Sequence, residues 1–169
     1  MLGHFFLLIM KEIQLTQGKV ALVEDADYDY LNQWKWHAKK SNGNYYAKRN
    51  IRINKKYAGH ILMHRLLINV EKHLYIDHID GFSLNNQKNN LRICTHAENM
   101  RNKKLNINNT SGFKGVYWHK CTKKWIAFIR INNKQLHLGL FTDLIEAARA
   151  YNAAAIKYHG EFANLNKID

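Results

Sequence analysis

The chain has 169 residues, 46% of them apolar, with 26 Lys+Arg against 13 Asp+Glu and a formal charge of +13. That length suits one ordinary domain or two small ones and excludes a large multidomain enzyme. A cationic excess of this size calls for a polyanionic partner, with nucleic acid first and an anionic membrane surface second.

Cys94 and Cys121 form no CxxC pair, which argues against a disulfide scaffold or a cysteine-rich zinc site. The opening MLGHFFLLIM is apolar but has no basic residue ahead of its core and no small-residue cleavage site, so it does not read as a secretory leader. It is also well short of the ~20 apolar residues a transmembrane helix needs. It is taken as an extension, or as sequence ahead of a start at Met10, and a cytoplasmic protein with no membrane partner is expected.

Proline is absent, so Gly and Asn carry the punctuation. The first elements in order are a short strand near Lys19 to Val23, then an acid-led helical stretch from Glu24 through Trp34 and Trp36. A hairpin follows, with Ser41-Asn42-Gly43-Asn44 as its turn and Tyr45 to Ile53 and Tyr57 to Met63 as β-prone runs. Between Asp29 and Glu71 lie nine basic residues, among them Arg49, Arg52 and Arg65, and no acid. Such a face repels itself unless phosphate neutralises it, so these arginines are assigned to DNA contact, and His64 beside Arg65 is placed near phosphate as well.

Arg101 to Gly112, RNKKLNINNTSG, is polar, basic and Asn-rich, and reads as a linker. Beyond it, Phe113 to His119, Lys124 to Asn132 and Lys134 to Phe141 read as three strands, followed by an Ala-rich helix. Thr142 is its expected cap, with Asp143 and Glu146 at the positive end of the dipole and Gly160 just past its close. Leu144, Ala147, Ala148, Tyr151, Ala155 and Tyr158 recur at helical spacing and should face the sheet. In the second strand, Trp125, Ala127, Ile129 and Ile131 should pack on the helix, and Lys124, Ile126, Phe128 and Arg130 should form an open face able to enter a DNA groove. Trp118 and Trp125 are both assigned to packing.

The most informative stretch is Leu74 to Arg101, LYIDHIDGFSLNNQKNNLRICTHAENMR. It sets Asp77-His78 on a strand-like run, a turn at Gly81, an Asn-rich loop, and Asn90 and Asn99 beside a helical segment. Phosphodiester hydrolysis needs a base for water, and a histidine with its ordinary pKa of ~6.5 is largely neutral near pH 7. It also needs a hard cation. One carboxylate and one carboxamide would leave room in an Mg²⁺ shell for water and DNA oxygens.

These residues resemble the HNH endonucleases of phage and intron-borne homing enzymes: Asp77-His78 in DHIDG, Asn90 in NNLR, Asn99 in AENM, and MHRLL at Met63 to Leu67 ahead of the core. The resemblance implies a ββα-metal fold with His78 as general base, Asn90 bracing the loop behind it, and Asp77 and Asn99 ligating one divalent cation, Mg²⁺ or Mn²⁺. Asp77 stands where many relatives have His, and a carboxylate suits Mg²⁺ equally well. His73 and His96 are out of register and are taken as surface or DNA-facing residues.

Ser111 to Asn166 resembles an AP2 domain, through GVYW, KWIAFIRI, HLGLF and EAARAYNAAAIKYHGEFANLN. In that family the sheet docks in the major groove, and the matching positions are Lys114, Tyr117, His119, Lys124, Phe128, Arg130, Gln135 and His137. Tyr117, His119, Phe128, Gln135 and His137 depart from the Arg, Glu or Trp of the plant proteins, so the docking mode transfers and the target sequence does not.

The expectation is therefore an α+β protein: an amino-terminal β-rich segment at 1–60, an HNH core at 61–105, a linker at 106–111 and an AP2-like domain at 112–169. Its expected function is metal-dependent cleavage of double-stranded DNA, with no small-molecule substrate, in a phage-type homing enzyme acting in the bacterial host cytoplasm. The rival is a non-catalytic DNA-binding regulator with a relic core.

Overall fold

The computed structural model describes residues 10–102, 105–106 and 108–168. The apolar opening before Met10 lies outside these, as do Lys103, Lys104 and Ile107 of the expected linker. The fold is mixed helix and sheet, and the chain divides into two compact units, Met1–Cys94 and Thr95–Asp169. Among the described residues no helix is long and apolar enough to cross a membrane.

In the first unit, β1 (Met10–Gln14) and β2 (Val20–Glu24) pair antiparallel. Period-two alternation sends Ile13, Ala21 and Val23 inward. Helix α1 (Asp25–Asn32) starts on Asp25 and Asp27, where acids complement the dipole, and buries Leu31. It ends before Trp34 and Trp36, earlier than the sequence suggests. The Leu31 carbonyl accepts the indole Nε1–H of Trp36 at 2.8 Å, which turns the chain back and seats Trp36 in the core.

A three-stranded meander follows: β3 (His37–Ser41), β4 (Asn44–Ile53) and β5 (Lys56–Leu62), in the order β3-β4-β5. The expected single hairpin is thus two. The Asn42-Gly43 turn joins β4 to a strand the sequence reading missed, and Asn54-Lys55 makes the second turn, both residues at positive φ. Lys at such a φ is a weak sequence signal, so the second turn is not legible in the sequence. Met63, expected to end a strand, instead opens α2 (Met63–Leu67). Strands β6 (Tyr75–His78) and β7 (Leu91–Cys94) form a further antiparallel pair.

One apolar core serves this unit. Ile13, Val23, Leu31, Trp36, Ala47, Met63 and Leu84 are buried in it together, so residues on both sides of the expected 60/61 division share a core. The loop between β6 and β7 is held to β2 by Leu22 N–H donating to Leu84 O at 2.9 Å and Asn86 N–H donating to Leu22 O at 2.8 Å. Ser83 Oγ–H donates to Tyr45 O on β4 at 2.7 Å.

In the second unit, α3 (His96–Arg101) begins with a capping box in which Thr95 and Glu98 satisfy each other's backbone N–H groups. Its end is tied into this unit, since Lys114 Nζ–H donates to Arg101 O and Asn164 Nδ2–H to Asn102 O. These bonds account for a boundary that falls at Cys94/Thr95, where composition placed the linker later.

Strands β8 (Val116–His119), β9 (Lys124–Ile131) and β10 (Lys134–Phe141) form an antiparallel sheet in the order β10-β9-β8. Helix α4 (Leu144–His159) packs on it through Ala147, Ala148, Tyr151, Ala154 and Ala155. Its cap is Asp143, whose Oδ1 accepts Glu146 N–H at 2.8 Å, and not Thr142. Gly160 follows at φ +56. Tyr158 stays exposed, and His159, whose Nε2 bonds the Arg130 carbonyl, is buried in its place.

At Gly115 any Cβ would collide with the Tyr151 ring and the Phe128 carbonyl, and its φ is +68. Only glycine lets α4 and β9 close on that turn.

Candidate active site and nucleic-acid face

Strand pairing presents Asp77 opposite Arg92 and His78 opposite Leu91. Arg92 Nε–H and Nη2–H both donate to Asp77 Oδ2, at 3.0 and 2.7 Å. Asp77 and His78 are each only 6% exposed, so both sit inside the protein wall.

Helix α2 brings His64 against this pair. The His64 and His78 rings meet with centroids 5.2 Å apart, and Tyr46 of β4 lies 5.9 Å from His64 and 6.4 Å from His78. Burial pushes His64 down to about 3, and the neighbouring His78 and Arg65 charges add to it. Burial also lowers His78, although the Asn86 carboxamide and the Asp80 and Asp77 carboxylates pull the other way. Two neutral imidazoles at neutral pH are the result.

Asn90, in a 3₁₀ turn at Lys88–Asn90, ties down the chain immediately after His78. Its carbonyl accepts Ile79 N–H at 2.9 Å, its Oδ1 accepts Asp80 N–H at 3.1 Å, and its Nδ2–H groups reach Asp80 Oδ1 at 3.0 Å and Asn85 O at 2.9 Å. Burial works against the Asp80 carboxylate, but donors from Asn85, Phe82 and Asn90 outweigh it and hold its carboxyl below the usual range. Sequence reasoning assigned no role to Asp80, Asn86 or Tyr46. Asp80 had a signal, standing two residues after His78 in the same DHIDG run.

Asn99 lies on α3, in the second unit. Among the described residues no group of three or more His, Cys, Asp or Glu side chains is placed to hold a metal ion. The donors assigned by resemblance, one carboxylate and one carboxamide, are hard oxygens. They fit a cation of the Mg²⁺ type, which keeps most of its shell as water and phosphate and needs few protein ligands.

The arginines assigned to DNA are placed differently from one another. Arg52 is exposed on β4. Arg49 is half-buried, its guanidinium stacked 3.8 Å from the Trp34 ring centroid. Arg65 donates from Nη2 to the Leu74 carbonyl at 2.6 Å and so ties α2 to the approach of β6. His64, expected near phosphate, is buried. His73 is exposed beside Glu71, at 3.2 Å, and His96 is exposed.

In the second unit, register sets most of the assigned residues on one sheet face. Tyr117 pairs with Ile126, His119 with Lys124, Gln135 with Arg130 and His137 with Phe128. Side chains directly opposed across strands share a face, so Tyr117, His119, Lys124, Phe128, Arg130, Gln135 and His137 converge there. Tyr117 and Phe128 stack edge to face at 5.5 Å, and His119 Nδ1 bonds Thr122 Oγ1 at 2.8 Å. Ile126, expected on an open face, is buried; its partners in register are Tyr117 and Leu140. Trp118, expected to pack, is 43% exposed against the half-buried Trp125. Lys114 lies off the strands, half-buried, with burial lowering its pKa to about 8.

Residues 111–161 match the AP2 domain family. Over 156 residues, 90% of this chain and 78% of the relative, the protein is 30% identical to an uncharacterized HNH endonuclease of Acanthamoeba polyphaga mimivirus. Protein 3.8 of Escherichia phage T7 is 38% identical over 94 residues, 56% of this chain and 77% of that one. APETALA2-like protein 2 of Oryza sativa is 44% identical over 59 residues, 34% of this chain and 13% of the plant protein. No solved structure matches. The AP2 match points to DNA binding, and the mimivirus relative carries the name of an HNH endonuclease. The chain belongs to the viral-type family that joins an HNH endonuclease sequence to an AP2 domain.

Proposed function

We propose that the protein is a metal-dependent endonuclease that hydrolyses double-stranded DNA, with a ββα-metal core built around β6, β7 and the helix that follows them. The observation that carries this reading is the clamp of Asn90 on Ile79 and Asp80, which fixes the chain leaving His78 in the role the HNH pattern gives that asparagine.

A ring nitrogen of His78, neutral at working pH, takes the proton from a water aligned opposite the departing 3′ oxygen. The 5.2 Å contact with His64 limits rotation of the His78 ring. Asp77 would hold the divalent cation, Mg²⁺ or Mn²⁺, and the resemblance alone names Asn99 as a further ligand. The chemistry supplied there is neutralisation of charge on the scissile phosphate and the leaving oxygen. The products would be a 5′ phosphate and a 3′ hydroxyl. The AP2-like face, with Arg130 and Lys124 flanking Phe128 on β9, would dock in the major groove and choose where cutting occurs. The phage homing role follows from the same resemblance.

Supercoiled plasmid incubated with the protein and Mg²⁺ tests this. Nicking or linearisation should appear, vanish with EDTA, and be lost in Asp77→Ala and His78→Ala while DNA retention persists. The hold of two Arg92 donors on Asp77 Oδ2 favours a second reading, a non-catalytic DNA-binding regulator. Firm retention of plasmid without cutting would select it.

A further inference from the structure

We infer that a cleft on the first unit, bordered by Trp34, Lys35, His37, Arg49, Asn50 and Arg52, grips backbone phosphates of double-stranded DNA, giving this unit a DNA hold of its own. The inference rests on the DNA-binding half of the proposed function and not on its catalytic half. The cleft measures about 220 Å³, below the ~300 Å³ where pockets for drug-sized ligands begin. Its walls carry three full cations and an imidazole. Among the described residues no carboxylate pairs with Lys35, Arg49 or Arg52.

Arg49 is the centre of the argument. Its guanidinium lies 3.8 Å over Trp34 and 6.0 Å from Trp36, and Trp34 is itself held edge to face by Tyr30 at 5.0 Å. Stacking occupies the flat face of a guanidinium and leaves its in-plane N–H donors for an oxygen acceptor. The enclosed Nε of Arg49 has no hydrogen-bond partner among the described residues. A half-buried guanidinium without a counter-charge is costly, and a phosphate meeting its remaining N–H groups supplies that charge. The stack also fixes the head group before binding, so little side-chain freedom is lost when the anion arrives.

A polymer is indicated rather than a single phosphate compound. Along the same meander, β4, β5 and the turn between them add Lys48, Lys55 and Lys56 and no acid. Between Ile51 and Arg52 the register shifts by an extra residue on β5, the kind of irregularity that re-aims side chains at a sheet edge. The AP2 match in the same chain favours DNA among phosphate polymers.

The test is full-length protein binding two unrelated DNA duplexes in EDTA across a salt series. Arg49→Gln with Arg52→Gln should flatten the slope of log affinity against log salt by about 2, roughly one unit per lost phosphate contact, on both duplexes alike. Arg52→Gln alone, at an exposed site, should flatten it by about 1. Trp34→Leu should weaken binding at unchanged net charge by releasing Arg49, and Lys157→Gln, an exposed charge on α4, should keep the wild-type slope.

A folded Arg52→Gln with wild-type slope and affinity would overturn the inference, as would equal flattening by Lys157→Gln or absence of DNA binding by the wild type. Loss of retention on phosphatidylserine vesicles with DNA binding intact would assign the cleft to a membrane and overturn it too. Wild-type protein that binds with the expected slopes but never cuts plasmid would remove the catalytic reading and leave this one standing.

Discussion

The imidazoles of His64 on α2 and His78 on β6 meet at right angles, ring centroids 5.2 Å apart and both enclosed by the protein. Each would repel the other if both were protonated, and burial already disfavours the charged form of each. The pair is therefore built to stay neutral, the state that the general-base role proposed for His78 needs.

Stability should fall in acid because of this pair. Folded His64 titrates near 3 instead of 6.5, so below 6.5 the unfolded chain binds a proton that the folded chain refuses. The stabilisation is fully present above 6.5 and is lost as pH falls towards 3, by up to about 1.4 kcal/mol per pH unit for this group. His78 shifts in the same direction and adds to the loss. Urea unfolding at stepped pH should show a shallower acid slope for His64→Gln than for wild type; equal slopes would show that His64 is not the group responsible.

Asn90→Ala should loosen the turn after His78. The Asp80 amide and carboxylate and the Asn85 carbonyl each lose a partner, at a cost of about 1–3 kcal/mol if they remain enclosed. Plasmid nicking should drop by more than DNA retention does. A folded variant that nicks at the wild-type rate would remove the bracing role.

Arg130→Ala should weaken DNA binding. Arg130 is exposed, and its partner in register is Gln135. Removal of one phosphate contact lowers the salt slope by about 1, and removal of a base contact relaxes preference at one position of a selected site. Unchanged affinity and slope would mean that this sheet face does not meet DNA.

Gly115→Ala should damage the second unit. A methyl there runs into Tyr151 and the Phe128 carbonyl, a clash costing roughly 1–3 kcal/mol, and the φ of +68 adds strain. Thermal unfolding should move down markedly, and a wild-type midpoint would show that the turn can shift to make room.

The second unit was the more legible in sequence. Its strands alternate, its turns are marked by Asn and Gly, and α4 has an apolar stripe with an acid at its start, all signals that act within a few residues. Even there the cap moved from Thr142 to Asp143 and Tyr158 gave way to His159, because neighbouring residues compete for a cap or a core position and only packing decides between them. In the first unit the Asn42-Gly43 turn was visible, but its partner strand was not. His37 to Ser41 is short and basic and becomes a strand through pairing with β4.

The amino-acid sequence by itself determined the cationic excess, the Asp77-His78 and Asn90 pattern, the strand-strand-strand-helix order of the AP2 domain and the alternation that gathers its assigned residues on one face. These depend on composition, on short-range periodicity and on residues close along the chain. Only the tertiary structure decided that His64 packs on His78, that Asn90 clamps Asp80, that Arg49 lies on Trp34, and that Arg65 and Lys114 spend donors on carbonyls within the fold. The neighbour that buries or pairs with a polar side chain can come from a separate element, and packing, which charge and propensity do not encode, chooses it.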